Sequence, residues 1–255
     1  VHYYTMGGTH TEVGDISSSV DCGQPTSGLI GIAASRDGAT VFLYYKAKVG
    51  ISHTVAKYDL TLGDSPKLGS GGPLISDLPA AVMNVRNAGG LAVSPDNSSL
   101  YVSVGDNSKT QAAKAQDTSE FHGKLLRYAF DGTPAAGNPS FGGGANKALY
   151  AIGLGRPFRI AVDSETGDVW IADSKDIKWS EVNVAKGGEN FGWPQKEGID
   201  HAGPGGAMAT DPVSPVYEWD DYQAFESLAV PAWIKPALGG LALGVLGFFL
   251  PQVLG

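Results

Sequence analysis

Ile160-Ala161-Val162-Asp163-Ser164-Glu165-Thr166-Gly167-Asp168-Val169-Trp170-Ile171 decides the fold, because the same pattern occurs twice earlier in the chain. The earlier copies are Ile32-Ala33-Ala34-Ser35-Arg36-Asp37-Gly38-Ala39-Thr40-Val41-Phe42-Leu43 and Leu91-Ala92-Val93-Ser94-Pro95-Asp96-Asn97-Ser98-Ser99-Leu100-Tyr101-Val102. In each copy a short apolar run meets a polar turn, and a second apolar-aromatic run begins nine residues after the first. That is the signature of a β-hairpin whose Gly, Asn, Asp and Ser residues supply the turn geometry. The copies start 59 and then 69 residues apart, a spacing that suits a four-stranded unit repeated around an axis. The expected fold is therefore all-β, a β-propeller.

Composition agrees with short strands and tight turns. Of 255 residues, 36 are glycine, and only 17% are charged, which argues against coiled coil and charged disorder. The net charge of −8, with no lysine- or arginine-rich run, argues against nucleic acid as a partner. Cys22 is the single cysteine, so neither an internal disulfide nor a cysteine zinc cluster is available. No basic-apolar-small pattern opens the chain, and a sequence starting at Val1 reads as a fragment of a longer propeller.

Between the hairpins, His53–Leu60 and Pro73–Leu78 read as an outer pair of strands, Gly123–Tyr128 as a strand closed by the turn Asp131-Gly132-Thr133-Pro134, and Glu181–Val184 as another. Asn107–Ser119 carries no β pattern and reads as a long loop or short helix over one face. Leu149–Gly153 leads into the third hairpin, residues 198–215 read as a Gly/Pro-rich loop, and Val216–Trp219 as a last short strand. Composition then changes. Pro236 to Gly255 contains no charged residue and includes Gly240-Leu241-Ala242-Leu243-Gly244. As a helix it would rise about 30 Å, the thickness of a bilayer's hydrocarbon core. The expected division is a propeller over residues 1–222 and an apolar, helical, membrane-like tail over 223–255, with possible membrane association through 236–255.

In a propeller the innermost strands line an axial channel, and the loops before them ring its mouth. Thr26 and Ser27 precede Ile32, Arg86 and Asn87 precede Leu91, and Gly155 and Arg156 precede Ile160. Two arginines and an asparagine facing one cavity would favour an anionic or carbonyl-rich ligand. The structural alternative is that Arg86 and Arg156 cap strand ends or pair with surface carboxylates. Asp106 ends an inner-repeat strand and is a further candidate for the channel. Asn97-Ser98-Ser99 matches a glycosylation acceptor, although turn chemistry alone accounts for it.

Gly28–Ala33, Gly89–Asp96 with Leu100–Asp106, Gly123–Thr133, Tyr150–Phe158 and Glu181–Pro194 resemble the soluble quinoprotein glucose/sorbosone dehydrogenases. This group also contains aldose sugar dehydrogenases and non-enzymatic Hedgehog-interacting relatives. The most specific marker is Gly187-Gly188-Glu189-Asn190-Phe191-Gly192-Trp193-Pro194. The resemblance implies a six-bladed propeller, of which about four blades would lie here, binding pyrroloquinoline quinone (PQQ) with calcium. It also implies oxidation of a sugar at its anomeric carbon, and a periplasmic or secreted location. Carried over by position, the family's catalytic histidine falls on Arg86, which cannot act as a general base because it stays protonated. The family's quinone contacts fall on Thr26, Asn87, Gly155, Arg156 and Ser174, with the family's Arg-Asn pair displaced onto Gly155-Arg156. Its calcium loop falls on Asp173-Ser174-Lys175-Asp176, where Asp173 and Asp176 could hold a hard cation and Lys175 would compete with it. His53, His122 and His201 sit in ordinary strand or loop contexts. Pro231–Gly240 through Leu250–Gly255 is similar to a transmembrane stretch of chloride channels, without their ion-coordinating motifs. Three readings stand: a PQQ-dependent sugar dehydrogenase homologue with a degenerate site, a non-catalytic propeller that binds a sugar or a protein, and, from the tail, a membrane-tethered fragment with no function of its own.

Overall fold

Strands Thr40–Lys46, Ser99–Val104 and Val169–Asp173 are buried along nearly their whole length, which is why they read as unbroken apolar runs instead of alternating ones. Each is sandwiched between two apolar layers. The computed structural model describes residues 1–4, 10–23, 27–80, 87–174, 179–199, 201–205 and 212–219. Thr26, Arg86, Lys175, Asp176 and the whole tail from residue 220 lie outside the described residues.

Sixteen strands are present among the described residues. A short ribbon pairs β1 (His2–Tyr4) with β2 (His10–Glu12). The first blade contains β3 (Leu29–Ala34), β4 (Thr40–Lys46), β5 (Ser52–Thr61) and β6 (Lys67–Pro79), in that spatial order. The second contains β7 (Leu91–Val93), β8 (Ser99–Val104), β9 (Lys124–Ala129) and β10 (Leu149–Ile152). The third contains β11 (Pro157–Val162), β12 (Val169–Asp173), β13 (Ser180–Ala185) and β16 (Tyr217–Trp219). All pairings within the blades are antiparallel. The three repeat hairpins are β3–β4, β7–β8 and β11–β12, so every copy of the pattern forms the two inner strands of one blade. The described residues form three four-stranded sheets, one fewer than the four blades expected.

Two details differ from the sequence reading. Leu149–Ile152 is the outermost strand of the second blade, held by pairing to β9, and not merely a lead into the third hairpin. The Gly/Pro-rich segment near 198 carries a small ribbon of β14 (Lys196–Glu197) and β15 (His201–Ala202). The fully buried Glu181 carboxylate fastens this ribbon by accepting the Gly198 N–H, and the His201 ring stacks on Trp179 at 4.0 Å.

Side chains that alternate along a blade strand serve two different cores. Phe42 and Tyr44 of β4 pack with Leu91, Leu100, Val102 and Leu126 between blades 1 and 2. Val41, Leu43 and Tyr45 turn to the other side, against Val20 and Ala56. In β12, Val169 and Ile171 join Tyr101, Leu125 and Ile160 between blades 2 and 3, while Trp170 and Ala172 face outward to Val182. Each fully buried aliphatic or aromatic side chain contributes about 1.5–3 kcal/mol, so the faces between blades dominate cohesion. The inner strands meet backbone to backbone: a Cβ on Gly31 would lie 2.0 Å from the Gly89 carbonyl oxygen. Arg159 reaches from blade 3 to blade 1, donating from Nη1 to the Ile30 carbonyl at 3.3 Å. Blades 1, 2 and 3 thus turn about one axis, as a propeller.

Candidate functional site

Gly155 and Arg156 approach the inner strand of blade 3 in a backbone conformation held from two sides. The Asp173 carboxylate, fully buried at the end of β12, accepts the Gly155 N–H at 2.9 Å and the Arg156 N–H at 2.5 Å. The Gly155 carbonyl in turn accepts the Asp106 N–H at 2.9 Å, and the Arg156 carbonyl accepts the Ser174 N–H at 3.1 Å. The clamp fixes where the Arg156 side chain starts. Its Nε donates to the Asn87 carbonyl at 3.3 Å, across the boundary between blades 2 and 3. Its guanidinium lies 4.9 Å from the Phe158 ring centre, and Arg159 stacks on the same ring at 4.0 Å. Two cations thus share one aromatic ring, beside a buried asparagine and the buried carboxylates of Asp173 and Asp106.

Five of the residues singled out from the sequence therefore meet where the expected mouth lies, at the starts of the inner strands of blades 2 and 3: Asn87, Gly155, Arg156, Asp173 and Ser174. Thr26, Arg86 and Asp176 lie outside the described residues. Asp173 uses both carboxylate oxygens on backbone N–H groups, so it acts here as a clamp for the Gly155–Arg156 turn. No group of three or more His, Cys, Asp or Glu side chains able to hold a metal ion occurs among the described residues.

The mouth is buttressed by the glycine-rich marker segment and by the polar insertion, which folds as a 3-10 helix over Lys109–Gln116. Asp106 is wholly buried and accepts the Trp193 indole N–H at 2.8 Å. Gln116 Nε2 donates to Asn190 Oδ1 at 3.0 Å and to the Trp193 carbonyl at 2.7 Å, and Asn190 Nδ2 returns a bond to Gln116 Oε1 at 2.7 Å. Asn190 Oδ1 also accepts the Gly192 N–H, closing the turn. Gly153 has a positive φ of 76°, and a Cβ there would lie 2.3 Å from Asn190 Oδ1, so only glycine lets the two segments close. The marker residues Asn190 and Trp193 hence serve architecture, tying the insertion to the strand end that carries Asp106.

Lys124 completes the support and carries no functional signature in the sequence. It is fully buried, and its ammonium donates to the carbonyls of Lys114, Ala115 and His122 at 2.7–2.8 Å. Burial pulls its pKa down to about 7, with the charges of Asp117 and Glu120 opposing the shift. Its only sequence signal is a lysine opening an apolar strand.

The histidines are placed elsewhere. His53 is buried in blade 1, edge-on to Tyr44 at 5.4 Å, and burial with Lys46 nearby drives its pKa down to about 4. His122 pairs with Glu120 at 3.1 Å at the foot of the insertion, its pKa lowered first by burial and next by Lys114. His201 stacks on Trp179 at the outer ribbon. Asn97 has a φ of 59° in its turn and binds the blade 1 turn, as turn chemistry requires. No helix among the described residues is long and apolar enough to cross a membrane.

The sequence model of the Glucose / Sorbosone dehydrogenase family matches residues 2–232. Aldose sugar dehydrogenase YliI of Escherichia coli (strain K12) is 27% identical over 148 residues, covering 55% of this chain and 39% of that protein. Quinoprotein glucose dehydrogenase B of Acinetobacter calcoaceticus is 28% identical over 142 residues, covering 49% of this chain and 29% of that protein. The match thus spans less than half the length of either relative. The PQQ-bound aldose sugar dehydrogenase of Streptomyces coelicolor superposes with a TM-score of 0.66 at 27% identity, covering 84% of this chain and 59% of that one. An oxidoreductase of glucose dehydrogenase type from Thermus thermophilus gives a TM-score of 0.69 at 26% identity, covering 86% and 63%.

Proposed function

Because the chain belongs to the Glucose / Sorbosone dehydrogenase family, we propose that its axial mouth is a binding site for pyrroloquinoline quinone and an aldose sugar, with impaired turnover. The observation that carries this reading is the clamped Gly155–Arg156 turn, which brings Arg156 against Asn87 at a blade boundary. A planar cofactor bearing carboxylates matches an arginine pair stacked on Phe158, through charge and through flat contact. When bound, such a quinone would accept a hydride from the sugar's anomeric carbon. Arg156 would neutralise a cofactor carboxylate, and Asp173 would keep Arg156 in place by bonding its backbone. Calcium fits less well, because Asp173 already serves two N–H donors.

Turnover needs a base to take the sugar's hydroxyl proton, and Arg86 occupies the family's histidine position. A guanidinium cannot accept that proton at working pH. This substitution favours a second reading, a propeller that binds a sugar or a protein without oxidising it. A periplasmic or secreted location accompanies either reading.

Adding PQQ with calcium to the purified chain tests both. The quinone's absorbance should shift on binding, and sugar-dependent dye reduction should be weak. An Arg86→His variant should raise dye reduction well above the parent. Absence of any spectral shift would remove the cofactor from the proposal, and a silent Arg86→His variant with bound quinone would favour the binding module.

A further inference from the structure

The repeat turns sit on the face opposite the mouth, and neighbouring turns meet there in two different ways. Between blades 1 and 2, Arg36 seals the seam. Its Nε donates to the Ser94 carbonyl at 3.1 Å, its backbone N–H donates to Asn97 Oδ1 at 2.8 Å, and Asn97 Nδ2 reaches Asp37 at 3.3 Å. Blade 2 carries Pro95 at the position of Arg36, following Ser94 as Arg36 follows Ser35. Proline has no N–H and no long polar side chain with which to bridge onward to blade 3. The seam between blades 2 and 3 accordingly stays open as a cleft of about 320 Å3, bounded by the turns Ser94–Ser99 and Glu165–Gly167 and by Tyr101 and Arg127.

We propose that this cleft binds a neutral, polyhydroxylated ligand of monosaccharide size. Its volume falls at the lower end of small-molecule sites. Its walls are preorganised. Ser94 Oγ donates to Asp96 at 2.5 Å and accepts the Ser99 N–H at 2.9 Å, and Ser98 Oγ donates to the other Asp96 oxygen at 2.7 Å. On the facing wall, Asp163 accepts the N–H groups of Glu165 and Thr166 at 2.8 and 3.3 Å. Arg127 forms the side wall, its guanidinium 5.2 Å from the Tyr150 ring centre. Of the five donors an arginine carries, Arg127 commits one, from Nη2 to the Ala136 carbonyl, and its Nε is buried, so the ligand would be met by the remaining Nη donors.

The charges select the ligand. An anion would meet the Asp96 and Glu165 carboxylates, and a cation would meet the Arg127 guanidinium. A ligand with several hydroxyls donates to the carboxylates and accepts from the guanidinium at once, with no net charge to oppose. The site is independent of the quinone reading, since none of its residues belongs to the mouth.

Saturation-transfer NMR on the quinone-free chain, with D-glucose, myo-inositol and glycerol as probes, tests the assignment. Saturable, millimolar binding of at least one polyol is expected. Thr166→Trp, which fills the cleft from an exposed position, and Glu165→Gln should each weaken it several-fold with melting temperature kept. Arg156→Ala at the mouth should leave it intact. Binding unchanged in both cleft variants, or lost only in Arg156→Ala, would place the polyol at the mouth and overturn the proposal. Saturation by inorganic phosphate or methylguanidinium but by no polyol would overturn the ligand class, and no saturation by any probe would overturn the site.

Discussion

The two seams between neighbouring blades share one sequence repeat yet are closed at opposite ends. Blades 1 and 2 are locked on the turn face, by Arg36 to Ser94 and Asn97. Blades 2 and 3 are locked on the mouth face, where Arg156 reaches Asn87, the Asp106 N–H reaches Gly155, and the Trp193 indole reaches Asp106. Midway along the second seam, the fully buried Ser103 Oγ donates to the Pro157 carbonyl at 2.6 Å and accepts the Gly90 N–H at 2.9 Å. The lesson is that a repeated hairpin dictates packing of the sheets, whereas single polar residues decide which edge of each seam is sealed. A seam sealed at the mouth holds a binding loop still; a seam left open at the turns leaves a cleft.

Removing the mouth-face lock should have the largest effect. Trp193 is fully buried and bonded to buried Asp106, so Trp193→Ala removes a large side chain and one partner of a buried carboxylate. A loss of about 3–5 kcal/mol is expected, read from urea unfolding. A loss below about 1 kcal/mol would mean that the second seam does not depend on its mouth.

Acid should act on the first seam instead. His53 sits beside Tyr44, which packs in the core between blades 1 and 2. Its folded pKa, driven from 6.5 to about 4 by burial and then by Lys46, lies below the unfolded value. Above pH 6.5 His53 is neutral in both states and its contribution is full; as pH falls from 6.5 to 4 the unfolded chain takes up the proton first, and His122, lowered chiefly by burial, adds to the same slope. Stability should drop by roughly 3 kcal/mol across that window, and His53→Gln should flatten the slope. The carboxylates of Asp21, Asp37 and Asp96, lowered chiefly by a Gly23 backbone bond, a Ser35 bond and a Ser94 bond respectively, contribute only at lower pH.

Smaller changes address the turn face. Arg36→Ala removes the Nε bond to Ser94 and should cost about 1 kcal/mol, leaving the backbone bond to Asn97 in place. Pro95→Arg should do the converse, supplying blade 2 with the side chain that blade 1 uses. A change of no more than about 0.5 kcal/mol in stability is expected, with polyol binding in the cleft reduced. Unaltered binding in Pro95→Arg would show that the two seams are not interchangeable in this way.

The blades are legible because a strand buried on both faces writes a continuous apolar run, and three such runs at matched turns leave little room for another fold. Leu149–Ile152 is harder to place, because four apolar residues after a glycine-rich loop carry no period. The mouth is half legible. Asn87, Gly155 and Arg156 stand out by their place before an inner strand, and Asp106 by ending one. Division of labour is what the chain does not spell out: Asp173 reads from the sequence as a cation ligand, and nothing there shows that its oxygens also hold two amide groups. Asn190 and Trp193 look like a family marker until their bonds to Gln116 and Asp106 give them work. Lys124 is unreadable because its role depends on three carbonyls brought together by the 3-10 helix and the turn after it, a segment of no recognisable sequence pattern.

Gly31 faces the Gly89 carbonyl with no room for one more carbon. How closely the first blade approaches the second here is thus limited by an absent methyl group. Alanine at that position would act as a wedge, splaying the two innermost strands and passing the error outward along both sheets.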